Sequence, residues 1–171
     1  MERRDWVNLV IFKLGWVVAV MGREDWLAVQ LVLVAASTWV VRPSWPVVVT
    51  VVSVALLGIF RDAALVVSNV LDMGGSYMPT WLALLWVQFA LVLQRGMHWL
   101  ARLAEVVQVP VGMVTGGLAY AAAVALGAGT VGSGLGGAIG AWAAITLTWG
   151  ALLWLQLKLF TRVGEQRVVS Q

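Results

Sequence analysis

Asp62 is the residue with the clearest capacity for chemistry, because it is a carboxylate set inside an otherwise apolar run, Gly58 to Asn69, with Arg61 beside it. A charged side chain deep in a bilayer costs at least about 2.5–3.5 kcal/mol on insertion scales, so such residues face the interior of a helix bundle, take a partner and mark a site. At about 3.6 residues per turn, Asp62 and Asn69 share one helix face, while Arg61, Ser68 and Asp72 fall on the neighbouring face. Asp62 and Asn69 are therefore candidate ligand-binding groups, and Arg61 is read as an incidental neighbour of Asp62. The competing reading ends the span at Phe60 and leaves the charged pair among the outer headgroups.

Trp86 and Gln88 lie in the next apolar run. A deep indole N–H needs a buried acceptor or a cavity, which applies equally to Trp16 and Trp149. Asp62, Asn69, Gln88 and Trp86 could together line a polar pocket. Arg95, His98 and Arg102 continue the Gln88 face, whereas Met97, Leu100, Ala104 and Val107 line the other, so residues 94–107 read as a cytoplasmic amphipathic helix. On it, Arg95 and His98 are candidates for an anionic headgroup. Tyr120 shares a face with Gly112 and Gly116 and is the last candidate contact. Lys13 is near enough to the inner surface to snorkel.

No catalytic motif is present: there is no HExxH, no GxSxG and no Walker loop, and the Gly-rich stretch after Gly127 has no following lysine. Asp62 and Asp72, ten residues apart, occupy different faces. A single histidine and the absence of cysteine exclude multi-histidine and thiolate metal sites, so neither a cofactor nor a metal is assigned. An intramembrane enzyme using Asp62 or His98 for proton transfer is the least favoured class, since the two are expected on opposite sides of the membrane, outer for Asp62 and inner for His98, and cannot cooperate.

The elements that must position these groups follow from composition. Hydrophobic residues make up 61% of the 171 positions and charged residues 11%, against roughly half and a quarter in soluble domains. Apolar runs at 6–21, 26–41, 45–60 or beyond, 79–93, 111–126 and 138–160 approach the length that spans a bilayer core. They lack the alternation of a barrel. The expected fold is an all-α integral membrane protein, a single domain over 1–171 forming a compact bundle of six transmembrane helices. Arginine and lysine gather on the face that carries the ends of the chain, which predicts cytoplasmic termini. A net charge of +3 without a basic stripe excludes nucleic acid as a partner. Small residues at helical spacing, Gly112 and Gly116, then Gly132, Gly136, Gly140 and Ala144, predict tight packing within the chain, with a homodimer seam as the alternative. The loop from Gly127 to Gly137 is expected to be flexible.

Several segments in this order resemble a known family. Asn8, Phe12, Gly15 and Trp16; Gly58 and Asp62; Pro79, Trp81, Trp86 and Phe89 through His98 and Trp99; and Gly112, Gly116, Tyr120 and Gly127 resemble the small bacterial inner-membrane proteins of unknown function grouped as DUF2878. Lys13 and Arg61 are not part of that pattern. The resemblance implies a multi-pass protein of the bacterial inner membrane with no established activity. Members of that family are often encoded beside enzymes that modify phospholipid acyl chains, which implies membrane lipid and lipid-modifying enzymes as partners. The small bundle, the amphipathic segment at 94–107 and the resemblance give one reading, a noncatalytic component that binds, moves or scaffolds a lipid or fatty-acyl species. The size, six short helices in 171 residues, gives the other by analogy, a small-solute transporter or the membrane substrate-binding subunit of an uptake system, with transporter subunits as its partners.

Overall fold

In the computed structural model the chain is helical almost throughout. The helices are α1 (Arg3–Gly22), α2 (Leu27–Val41), α3 (Trp45–Val67), α4 (Thr80–Gln94), α5 (Glu105–Ala125) and α6 (Gly134–Val169), with 3-10 turns at Arg23–Trp26 and His98–Arg102. The structure describes residues 2–74, 77–132 and 134–169, excepting the side chains of 134–136 and 160–169. Ser133 of the Gly-rich loop, the packing of Gly136, and the side chains of Arg162 and Arg167, which enter the charge argument for topology, lie outside the described residues.

Among the described residues four helical stretches are long and apolar enough to cross a membrane: Arg3–Val41, Trp45–Val67, Glu105–Ala125 and Gly137–Leu159. The first is not one rod. Arg23 has φ +47°, and α1 packs along α2, so the stretch folds back at Arg23–Trp26. Helix α4 is apolar but has 15 residues, about 22 Å against a hydrocarbon layer of about 30 Å.

Helix α4 is central. It packs on α1, α2 and α3, while α6 bridges α3 and α5. Nine of its residues are buried, among them Trp86, Gln88 and Phe89. The outer surface is apolar, with Val10, Leu14, Val32, Phe60 and Leu118 all exposed, whereas Asn8, Gln30, Asp62, Gln88 and Gln156 are fully buried. Apolar outside and polar inside is the arrangement of a protein solvated by lipid, where buried polar groups join helices. Gln30 Nε2 donates to the Trp81 carbonyl at 2.7 Å, joining α2 to α4, and Gln156 Nε2 donates to the Val54 carbonyl at 3.1 Å, joining α6 to α3. The chain is thus an all-helical membrane protein.

The structure revises several expectations. Helix α3 runs through Phe60 without a break but stops at Val67, so Asn69, with φ +56°, lies beyond it and does not share the Asp62 face. Residues 94–107 do not form one helix. Gly96 sits against α1, where a side chain would meet the Asp5 carbonyl and the Leu9 amide, and a 3-10 turn then leads into α5 at Glu105. Pro110 lies inside α5 rather than before it. The Gly-rich loop is held: β1 (Leu71–Asp72) pairs antiparallel with β2 (Thr130–Val131), and Leu71 is fully buried. Arg23 also donates to the Gly127 carbonyl, and the Thr80 amide donates to Glu24 Oε1 at 2.7 Å, so the loops at this end are tied together.

Gly112 and Gly116 pack within the chain. A Cβ on Gly112 would meet Gly150 and Leu153, and one on Gly116 would run into the Trp149 ring, whereas Gly140 has open space around it. Gly116→Val is expected to destabilise by about 1–3 kcal/mol, the usual cost of overpacking. Gly140→Ala should leave stability unchanged or slightly raised, and denaturant titration of both variants in detergent checks the contrast.

Candidate functional site

The site begins at Gly58, one turn ahead of Asp62 on α3. A Cβ there would enter the Trp86 indole, so the glycine lets that ring lie against α3. Trp86 Nε1 then donates to Asp62 Oδ2 at 2.7 Å. From α5, the Tyr120 hydroxyl lies 2.6 Å from Oδ1 and 2.5 Å from Oδ2 and donates its one proton to this carboxylate. Arg61 completes the cluster. Its Nη1 donates to Asp62 Oδ1 at 2.5 Å and to the Tyr120 oxygen at 2.8 Å. Its Nη2 donates to the Ile145 carbonyl at 2.8 Å and its Nε to Thr148 Oγ1 at 3.0 Å, both on α6. The guanidinium also lies over the Tyr120 ring, 4.9 Å from its centroid.

Helices α3, α4, α5 and α6 therefore converge on one ion pair. The Asp62 side chain is 0% exposed and that of Arg61 9%. A buried pair is tolerated only when geometry is good and the remaining lone pairs and protons are matched, and here both carboxylate oxygens and all three kinds of guanidinium nitrogen have partners. Arg61 is an integral member rather than an incidental neighbour. The signal was present in the sequence, since two adjacent opposite charges in an apolar run can both be buried if they neutralise each other. What no spacing rule supplied was the reach of Arg61 around its own helix to α6.

The remaining predicted residues do not join this cluster. Asn69 is exposed past the end of α3. Gln88 is two residues from Trp86, which at about 100° per residue turns it to the other side of α4. There it packs against Gly15 of α1, fully buried, with neither amide atom hydrogen-bonded. Arg95 is paired with Glu2 at 2.7 Å and Asp5 at 3.1 Å, tying the start of α1 to the end of α4. His98 follows it, with Nδ1 2.6 Å from the Arg95 carbonyl and Nε2 3.4 Å from Arg102. Of the predicted contact residues, Tyr120 and Trp86 join Asp62.

On the far side of Trp86 and Tyr120 lies a cavity of about 490 Å³. Phe12, Trp16 and Val20 line it from α1, one helix turn apart; Trp81, Trp86 and Phe89 form its floor on α4; and Leu118, Ala119 and Ala122 line it from α5. Trp149 of α6 closes the back, stacked on Trp86 with centroids 5.2 Å apart and meeting Phe89 edge-on at 5.1 Å. Phe12 reaches Phe89 at 5.9 Å, so one aromatic wall runs from α1 to α6. Helices α1 and α5 both line the cavity and barely meet. All three deep tryptophans line this cavity, as their depth predicted. Phe12 and Phe89 entered the family resemblance but not the set of candidate contacts, because aromatics at helical spacing ordinarily read as core.

Among the described residues no group of three or more metal-ligating side chains exists. Removing one partner of the ion pair should cost more than removing both. Asp62→Leu alone is expected to destabilise by about 3–5 kcal/mol because it strands the Arg61 guanidinium, while the double variant Arg61→Met, Asp62→Leu should lose distinctly less. Tyr120→Phe should cost about 1–3 kcal/mol. A double-mutant cycle by denaturant unfolding in detergent measures the coupling.

Comparison with known proteins gives one match. Neither the curated proteins nor the solved structures include one similar to this chain. The family DUF2878, described as protein of unknown function, matches residues 5–155, most of the chain and every member of the Asp62 cluster and its cavity wall. The chain belongs to the DUF2878 family of proteins of unknown function.

Proposed function

We propose that this protein is a noncatalytic, multi-pass component of the bacterial inner membrane that binds an acyl chain in the cavity between α1, α4 and α5. The observation that carries this reading is the cavity itself. At about 490 Å³ it falls within the roughly 300–1,000 Å³ of ordinary ligand sites. Its walls are almost wholly apolar and aromatic. Helices α1 and α5 hardly meet beside it and carry exposed Leu14, Val17, Val114 and Leu118, and in this reading a lipid tail enters between them without crossing water. In this reading all six helices cross, with the termini cytoplasmic in keeping with the arginine and lysine distribution. Moving or scaffolding a lipid for enzymes that act on it would follow from such binding.

The other classes have less support. A polar-solute pocket needs Asp62, Asn69, Gln88 and Trp86 together, and they do not converge. Proton transfer by Asp62 needs its carboxylate to meet substrate, yet the carboxylate is fully buried and accepts from Trp86, Tyr120 and Arg61. Trp86 and Tyr120 stand between the carboxylate and the cavity.

A diazirine-bearing palmitoyl probe in membranes should cross-link to peptides of α1, α4 and α5, and unlabelled acyl chains should compete. Ala119→Trp, which fills the cavity from α5, should lower specific labelling by about tenfold, equivalent to about 1.4 kcal/mol. Labelling confined to the outer lipid-facing positions Val10, Val32 and Leu147, and unaffected by Ala119→Trp, would contradict the reading.

A further inference from the structure

We propose that the occupant of the cavity is a free fatty acid, its chain along the aromatic wall and its carboxylate on Lys13. This deepens the acyl-binding reading and rests on it. Among the described residues Lys13 is the one charged side chain that lines the cavity. It follows Phe12 on α1, at the edge of the face formed by Phe12, Trp16 and Val20, and it is exposed.

Among the described residues Lys13 makes no hydrogen bond and no ion pair. Of the acids within eleven positions, Glu2 and Asp5 are committed to Arg95, and Glu24 accepts from the Thr80 amide. A lysine within a span snorkels to the interface, pairs, lines a cavity or marks a ligand path, and Lys13 stands ten residues into α1, about 15 Å from its start, on the cavity wall. Here the ammonium belongs to the wall of an apolar trough, and the matching ligand is an anion carried by an apolar chain.

The polar inventory narrows the head. Thr115, which also lines the cavity, already donates its hydroxyl to the Val111 carbonyl at 2.7 Å. One compact ammonium on a flexible stem suits a single carboxylate, whereas a phosphate head is ordinarily met by several donors or a guanidinium fork. The dimensions agree with one chain. From Val111 to Ala123 the α5 wall runs about 18 Å at 1.5 Å per residue, and the lining continues to Met73 at one end and to Met97 and Trp99 at the other. The tail would lie against Trp86 and Tyr120, which shield the Asp62 carboxylate from the incoming anion.

Native mass spectrometry of the full, delipidated chain, titrated with palmitate and with methyl palmitate, tests this. The wild type should retain one palmitate with an affinity about tenfold above that for the ester. Lys13→Met should abolish that preference while leaving ester binding unchanged, and Lys13→Arg should keep it. Equal binding of acid and ester by the wild type, with both lost in Ala119→Trp, would overturn the assignment of the carboxylate to Lys13 and leave acyl binding standing. Binding of neither ligand to any form would overturn the acyl-binding reading and this inference with it.

Discussion

The buried ion pair of Arg61 and Asp62 is the interaction on which the rest of the arrangement depends. An isolated carboxylate could not stay charged between four apolar helices, and an isolated guanidinium could not either. Placed side by side on α3, the two neutralise each other, and the hydrogen-bonding capacity left over is spent outward. Asp62 takes Trp86 from α4 and Tyr120 from α5, and Arg61 takes the Ile145 carbonyl and Thr148 from α6. In lipid the hydrophobic effect does little to hold one helix against another, so packing and hydrogen bonds of this kind must do it. Gly58 makes the close approach possible on one side and Gly116 on the other, each beneath a tryptophan ring.

The cluster also shapes the cavity. Trp86 and Tyr120 have their polar atoms turned to Asp62 and their rings on the cavity side. One set of side chains thus seals the charge and supplies the apolar wall. The stack of Trp86 on Trp149 and the edge contacts with Phe89 carry that wall from α4 to α6. Because α5 packs chiefly on α6 and hardly on α1, the cavity has room between α1 and α5. Asp62 is in this view a structural centre, and the chemistry of ligand recognition belongs to the cavity and to Lys13 at its edge.

Much of this was legible in the sequence, and the parts that were not have identifiable causes. Composition alone specified an all-helical membrane protein, because lipid leaves few ways to satisfy a backbone. The depth of Trp86 called for a buried acceptor, the anomaly of Asp62 called for partners, and the two meet. Tyr120 was marked by its row with Gly112 and Gly116. Asn69 was misplaced because a face extrapolated over seven residues assumes that the helix continues, and α3 stops at Val67. Arg95 looked free for a headgroup because Glu2 and Asp5 are some ninety positions away in sequence, a distance that only the fold closes. Gln30 and Gln156 were overlooked since an isolated glutamine in an apolar run carries no spacing signal, yet each bonds a carbonyl of another helix. The loop at 127–132 read as loose from its glycines, but a two-residue ladder needs little side chain and pairs it with 71–72.

The central claim is that the Asp62 carboxylate is sealed among protein groups while the adjoining trough accepts an acyl chain. An experimental structure determined in a lipid nanodisc at a resolution that separates side chains tests it most directly. The account predicts elongated density along Phe12, Phe89 and Leu118, ending near Lys13, with Trp86 and Tyr120 in contact with Asp62 and no ligand density at the carboxylate. A closed contact between α1 and α5 with the trough filled by side chains, or ligand density reaching Asp62 past Trp86, would contradict it.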